Sequence, residues 1–363
     1  MSGDEFHWLK GDALAAWLPA YEALNTRALE PTGFNSPAWA KAITCHRGGA
    51  IAAVAAGQEL HLALPVHQRR LPFPLLESRL TNIGGSGAPV LDAAHPQALA
   101  SLLAGLNQPL CLRYLPADGP LFDTLRQHSA HFAVIDQWQR AALRPQGSFE
   151  DWLKTGFDGK RRGRFRRNRE KLSEEGHEAL SESLQPGADC TPWVEEFLAL
   201  EDAGWKGKRG TALARNPADR AAYMEGAKGL HARGSLRFWR IRRDGRTIAS
   251  TWAIHERDRL WMVKIAYDEA LASLSPGILV MLDGTAACFA EPGLAFADSC
   301  AIPGHPMVDN FWRDRIGMAD VMVAAPGVSA ARFAATVAAE RLWRRGRSMA
   351  KDAVYRVLGR KKV

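Results

Sequence analysis

The stretch from Arg246 to about Ala290 constrains the fold more than any other part of the chain. Two apolar-rich runs, 246–254 and 260–267, turn through Glu256-Arg257-Asp258-Arg259 and read as a β-hairpin. A short loop, Asp268 to Leu274, leads to an apolar helix running from Gly277 to about residue 290. Ser275 is placed to cap that helix with its hydroxyl, and Pro276 fits the first turn, where its missing N–H costs nothing. A helix that starts at a strand end presents free amides and the positive end of its dipole. Such a terminus attracts phosphate or pyrophosphate.

The rest of the chain repeats the alternation of helices and strands. In the first 150 residues, helices are expected at 12–29, 96–106 and 121–128, and strands at 50–56, 59–66, 110–114 and 133–139. Beyond them come helices at 158–175, 191–203 and 218–233, a strand at 235–242, the hairpin, the apolar helix, and strands at 294–300 and 318–324. Helices interleaved with paired strands make an α/β chain with a mixed sheet. With 363 residues and 47% apolar content, the chain has material for two packed domains. The expected division is 1–150, 151–327 and a basic helical tail, 328–363.

The order of short motifs resembles GNAT-type acyltransferases. The residues that carry it are Gly245-Arg246-Thr247-Ile248-Ala249-Ser250, Tyr267-Asp268, Ser275-Pro276-Gly277 and Ala297-Asp298-Ser299. The branch resembled is the FemAB/CelD-like one, built of two GNAT-like halves. That likeness extends to the basic segment 158–175 and to Phe34-Asn35-Ser36-Pro37-Ala38-Trp39. It implies two GNAT-like mixed-sheet domains in tandem. It also implies an acyl-CoA or acyl-carrier donor, with no metal, and direct transfer of the acyl group to an amine.

Direct transfer requires that the ammonium lose a proton, that the thioester carbonyl be polarised, and that the two be held in line. A backbone N–H on a splayed strand meets the second need. Candidates for proton transfer are Glu201, Asp298 and His255, with Tyr267 as proton donor to the leaving thiolate. Glu201 and Asp202 end a helix where its dipole disfavours acids, which invites either a catalytic role or pairing with Lys206 or Lys208. Asp298 lies among apolar residues of a strand and is costly to bury unpaired. Lys264, Ser275, Pro276, Gly277, Ile278 and Leu279 are the expected donor-binding residues. Trp205 and Lys206, where the resemblance places the acceptor, and His305 complete the set.

The charge balance, 47 Lys and Arg against 39 Asp and Glu, gives +8 and favours anionic partners. Much of it sits in Lys160-Arg161-Arg162-Gly163-Arg164-Phe165-Arg166-Arg167, where Phe157, Phe165 and Leu172 make one narrow apolar stripe. That run reads as a solvated helix, an anion-binding face or a nucleic-acid contact; no recognised nucleic-acid motif accompanies it. The tail interleaves Leu342, Trp343, Met349, Val354, Val357 and Leu358 with many arginines and lysines. It is either a helix packed on its domain or a basic amphipathic helix for an anionic membrane surface. Gly84-Gly85-Ser86-Gly87 lacks the lysine of a phosphate loop and reads as a turn. Five scattered cysteines and no leader-like N-terminus point to reduced thiols and a cytoplasmic location, with the tail as the means of peripheral contact with the inner membrane. The alternative functions are N-acylation of a membrane lipid or sphingoid base, a FemX-like transferase using aminoacyl-tRNA, and a non-catalytic accessory protein of envelope polysaccharide synthesis.

Overall fold

A computed structural model of the chain describes residues 3–80, 84–174 and 176–357, with the backbone alone at Lys351 and at 354–357. Expectations for Glu175, for the start of the glycine-rich loop at 81–83 and for Leu358 to Lys362 lie outside the described residues.

In chain order the first half contains β1 (Glu5–Leu9), α1 (Gly11–Thr26), α2 (Pro37–Arg47), β2 (Ala50–Ala56), β3 (Glu59–Arg69), β4 (Leu75–Ser78) and β5 (Val90–Leu91). It continues with α3 (Ala98–Leu106), β6 (Leu110–Pro116), α4 (Pro120–His128) and β7 (His131–Leu143). After α5 (Phe149–Gly156) the second half has α6 (Gly159–Leu172), β8 (Ala179–Ser183), α7 (Thr191–Ala203), α8 (Trp205–Lys208) and α9 (Pro217–Ala232). Then follow β9 (Leu236–Arg243), β10 (Arg246–Glu256), β11 (Arg259–Tyr267), α10 (Pro276–Ala290), β12 (Phe296–Asp298), β13 (Asp314–Ala324) and α11 (Ala330–Val357).

All the strands join one mixed sheet in the order β1-β2-β3-β4-β6-β13-β7-β12-β11-β10-β9-β8, with β5 beside β3. Apart from β5, this order is symmetric about its centre. Each half contributes four strands of an outer meander and a fifth that pairs parallel to the fourth: β4 with β6, and β11 with β12. The last strands are exchanged. β13, from the second half, lies between β6 and β7, and β7, from the first, lies between β13 and β12. The sequence pattern identified residues 318–324 as a strand but assigned it to the second half's own sheet; its neighbours are β6 and β7 of the first half. Local periodicity reports that a segment is extended and buried and carries no record of which edge it joins.

Helices cover both faces. In the second half, Phe197 and Leu198 of α7 pack with Tyr223 of α9 on Trp252, Ile254 and Trp261, while Leu279 and Val280 of α10 cover Ala253, Leu260 and Met262. Phe157, Phe165 and Leu172 are buried, so the basic helix α6 docks by its expected stripe. Asp158 caps it by accepting from the Arg161 N–H at 2.6 Å. The tail helix packs at its start through Phe333 and Val337. Trp343 stacks against Arg69 of β3, 4.5 Å from the guanidinium, and buried Glu340 bonds that same arginine at 2.6 Å. The packed alternative therefore holds for the start of α11. Gly85 lies close enough to Phe34 and Cys300 that a Cβ there would stand 2.7 Å from each, which makes this glycine a close-packing residue between the halves.

The halves also meet through α2 and α9. A Cβ on Gly226 would come within 2.5 Å of the Trp39 ring, and one on Gly229 within 2.8 Å of Ala38 Cβ. These glycines let the helices approach. Gly226→Val is expected to lower unfolding free energy by about 1–3 kcal/mol through overpacking, measured by urea denaturation at unchanged m-value.

Candidate active site

The site lies where β11 outruns β12. Their parallel pairing covers only Arg259–Trp261 against Phe296–Asp298. Beyond that point Ser299 donates its N–H to the Ala141 carbonyl at 3.2 Å, so the chain after β12 follows β7 and leaves β11. The β11 edge from Met262 to Tyr267 thus parts from its neighbour. An extra residue, Val263, bulges β11 where Trp252 faces Lys264 and Ala253 faces Met262, and such a bulge re-aims side chains next to a site.

At the end of β11 the chain turns through Glu269–Leu274 into α10. Pro276 occupies the first turn, as the sequence indicates. The Ser275 hydroxyl does not cap the helix: its backbone is left-handed (φ 53°, ψ 48°), and the Ile278 and Leu279 N–H groups return to its carbonyl at 2.9 and 3.2 Å. The expected cap fails because a left-handed residue cannot turn its side chain back onto the first-turn amides. Instead Ser275, Ile278 and Leu279 line an open cleft of about 450 Å³ together with Arg161, Arg164 and Asn168 of α6 and with Pro306, Met307 and Asn310. Arg169 holds α6 along α10 by pairing with Asp283 at 2.6 Å. Burial, and then the charges of Arg164 and Arg313, pull the Arg161 guanidinium below its ordinary pKa. Two arginines on the cleft wall beside the positive end of a helix dipole make this cleft attractive to an anion. Gly277 and Tyr267 touch: a Cβ on the glycine would stand 2.8 Å from the ring.

On the opposite sheet face, at the end of α7, Glu201 is nearly fully buried. Its Oε1 accepts from Lys206 Nζ at 2.8 Å and Lys264 Nζ at 3.0 Å, and its Oε2 accepts from the Leu213 N–H at 2.9 Å. Burial pushes the carboxyl pKa up, but Lys264, Lys206 and the amide outweigh it and hold the pKa below the ordinary value. The Lys264 pKa is lowered, by burial first and by Lys206 second, against the pull of Glu201. Lys208, the other expected partner of Glu201, pairs with Glu269 at 2.8 Å instead. Lys264, expected among the donor residues, faces α7 and not the cleft. Its register partner Trp252 belongs to the core under α7.

The acceptor loop and the donor loop meet. Glu269, just before α10, accepts from the Trp205 N–H at 2.5 Å as well as from Lys208. Trp205 is about half exposed. His305 is half-buried; burial lowers its pKa, Asp309 opposes the shift and Lys206 adds to it, which places this imidazole in the field of the same lysine. Glu201, Lys206, Lys264, His305, Trp205, Tyr267 and residues 275–279 therefore surround the free end of β11.

Two candidates stand elsewhere. His255 faces Leu260 at the hairpin turn, six residues along β10 from Ala249, the partner of Tyr267, or roughly 20 Å away. Its Nδ1 lies 3.0 Å from Arg237 and 3.5 Å from Glu291, and burial lowers its pKa. Intrinsic pKa favours a histidine as base, but the end of β10 that carries His255 points away from the site. Asp298 is buried with Arg140 of β7, which bonds its Oδ2, and its Oδ1 accepts from the Cys300 N–H at 2.9 Å. The argument that a buried acid needs a partner is answered by Arg140, a residue of the first half that nothing in the local sequence linked to it.

Residues 159–301 match the family model described as an acetyltransferase (GNAT) domain. This part of the chain is similar to a GNAT domain. The matched span runs from α6 through β12 and stops before the exchanged strand β13. Solved structures similar over most of the chain include FemX (TM-score 0.55, 10% identity, 88% of this chain and 96% of that one). Another is the C-terminal domain of a putative lysylphosphatidylglycerol synthetase from Agrobacterium fabrum (TM-score 0.54, 11% identity, 90% and 96%). A third is L-PGS from Bacillus licheniformis (TM-score 0.52, 11% identity, 91% and 97%). At such identities the likeness is one of fold. No curated protein sequence matches the chain. The fold is the tandem arrangement that the motif order implies, with the matched domain in its second half.

The buried charges at the seam and at the end of α7 give two testable outcomes. Arg140→Met strands a buried carboxylate and is expected to cost about 3–5 kcal/mol, most of which Arg140→Met/Asp298→Leu restores, as read by denaturant titration. The folded-state pKa of Glu201 lies below its unfolded value. The stability lost in Glu201→Gln is therefore largest above the unfolded carboxylate pKa and vanishes as pH falls through the folded one. Unfolding free energies of both proteins across the acid range check this.

Proposed function

We propose that the protein transfers an acyl group from a coenzyme A-type thioester to an amine, with the phosphates of the donor in the cleft between α6 and α10. The observation that carries this reading is the convergence of Arg161, Arg164 and the α10 terminus on one cleft, next to the strand edge that β12 leaves unpaired. That edge is suited to the amides of a pantetheine arm. One of its N–H groups would polarise the thioester carbonyl as the amine attacks. The C–S bond breaks as the acyl carbon binds nitrogen; the departing thiolate takes a proton, for which the Tyr267 hydroxyl at the strand end is the proposed source, and the proton that the nitrogen sheds on becoming an amide returns to the tyrosinate.

The ammonium must first lose its proton. Lys264 is the proposed acceptor of that proton: its Nζ lies 3.0 Å from Glu201 Oε1, a carboxylate placed to hold the ammonium that results. Glu201 thus acts as counter-charge rather than as the base, Asp298 as a structural partner of Arg140, and Trp205, Lys206 and His305 border the acceptor. Its acyl chain length and acceptor identity set the choice among amine, lipid and sphingoid-base acylation. A second reading, an aminoacyl-tRNA donor, draws on the same arginines, which would meet a nucleic-acid phosphate equally well.

Thermal unfolding with coenzyme A, acetyl-CoA and long-chain acyl-CoAs tests the reading. Ligand at ~100 times its dissociation constant should add about 2.7 kcal/mol, a shift of a few degrees. Arg164→Glu, at an exposed position, should remove most of the shift and leave the unliganded midpoint in place. Gly277 is a poorer probe because any side chain there meets Tyr267. No shift with any thioester contradicts the reading, and tRNA binding with a steep salt dependence would favour the alternative.

A further inference from the structure

Helix α11 divides in two. Its first turns are buried through Phe333, Val337 and Glu340, and Arg344 closes this contact by bonding Glu340 at 2.7 Å and pairing with Asp320. From Arg345 to Ala350 every residue is exposed. Leu342 and Met349, each 72% exposed, are seven residues apart and so share one helix face, with Gly346 and Ala353 along the same stripe. Arg341 and Arg345 border the stripe. Between 341 and 353 the sequence holds five cations, Arg341, Arg344, Arg345, Arg347 and Lys351, and one acid, Asp352.

A second element adds to this surface, and its pattern in the sequence was silent. The loop after β3 presents Leu71, 80% exposed, beside exposed Arg70. This loop is fixed against α11: the Arg69 guanidinium lies between the Phe73 ring, at 5.0 Å, and the Trp343 ring, at 4.5 Å. Two rings and one arginine thus hold the exposed leucines 71 and 342 on neighbouring elements. Exposed large apolar side chains in a basic setting suit one environment, the interface of an anionic bilayer. Their apolar parts enter the acyl boundary there while arginines meet lipid phosphates.

We propose that Leu71, Leu342 and Met349, with Arg70, Arg341 and Arg345, form a docking surface for an anionic phospholipid bilayer. The tryptophan of the tail is not the anchor, because Trp343 is committed to Arg69. This surface is separate from the donor cleft at α6 and α10, so the proposal stands or falls independently of the acyl-transfer reading.

The full chain should co-sediment with vesicles of phosphatidylcholine containing about 30 mol % phosphatidylglycerol, and roughly tenfold or more weakly with phosphatidylcholine alone. Salt at about 0.5 M should release it. Leu342→Glu/Met349→Glu and, separately, Leu71→Glu should each reduce binding by roughly tenfold or more. Their thermal midpoints should match the parent, since all three positions are exposed. Absence of sedimentation with anionic vesicles overturns the proposal. So does binding that survives both sets of substitutions, or preferential capture of tRNA by the same surface.

Discussion

The exchange of the last strands is the constraint on which the rest of the structure depends. Each half builds four strands and a fifth in parallel, then hands its closing strand to the other. Because β7 lies between β13 and β12, neither half has a complete sheet alone. Unpaired strand edges carry open amides and carbonyls that favour association, so the pairing that completes one half also joins it to the other. Arg140 and Asp298 mark this seam. Their charges are tolerable in the interior because each is the partner of the other and because Asp298 also accepts an amide.

The same seam opens the site. β12 is three residues long and its continuation follows β7, which removes the neighbour that β11 would otherwise keep as far as Tyr267. The unpaired edge, the arginines of α6 and the start of α10 then converge from three separate segments. A transferase that uses a long thioester needs such a gap: a strand to bond the arm, a positive end for the phosphates, and access from the opposite face for the acceptor. Glu201, Lys206 and Lys264 occupy that opposite face, at the end of α7. The two sides are tied by Glu269, which bonds Trp205 and Lys208 across the loops.

Much of the frame was legible in the sequence because it is local. Hairpin 246–267 and helices α6 and α10 follow from apolar runs, their turn and first-turn residues and apolar spacing, and each lies within a few residues of its expected place. The stripe of Phe157, Phe165 and Leu172 identified the buried face of α6 correctly. What escaped was long-range or conformational. The home of β13 depends on a pairing that crosses the whole chain. Arg140 gave no local sign that it would meet Asp298, 158 residues away. Ser275 has the composition of a cap, but its left-handed backbone denies it that role. The pattern left Trp343 open between packing on its domain and a membrane surface, and it packs on Arg69, whereas Leu71, silent in any periodicity, is exposed.

The central claim is that the donor's phosphates lie between α6 and α10, and hydrogen–deuterium exchange of the chain with and without saturating coenzyme A reads that location directly. The account predicts slower exchange in peptides spanning 159–172 and 268–282, with the first half unchanged. Protection centred on the first half, around α3 and the loop before it, or no change at residues 159–172 and 268–282 when the ligand is bound, would contradict it.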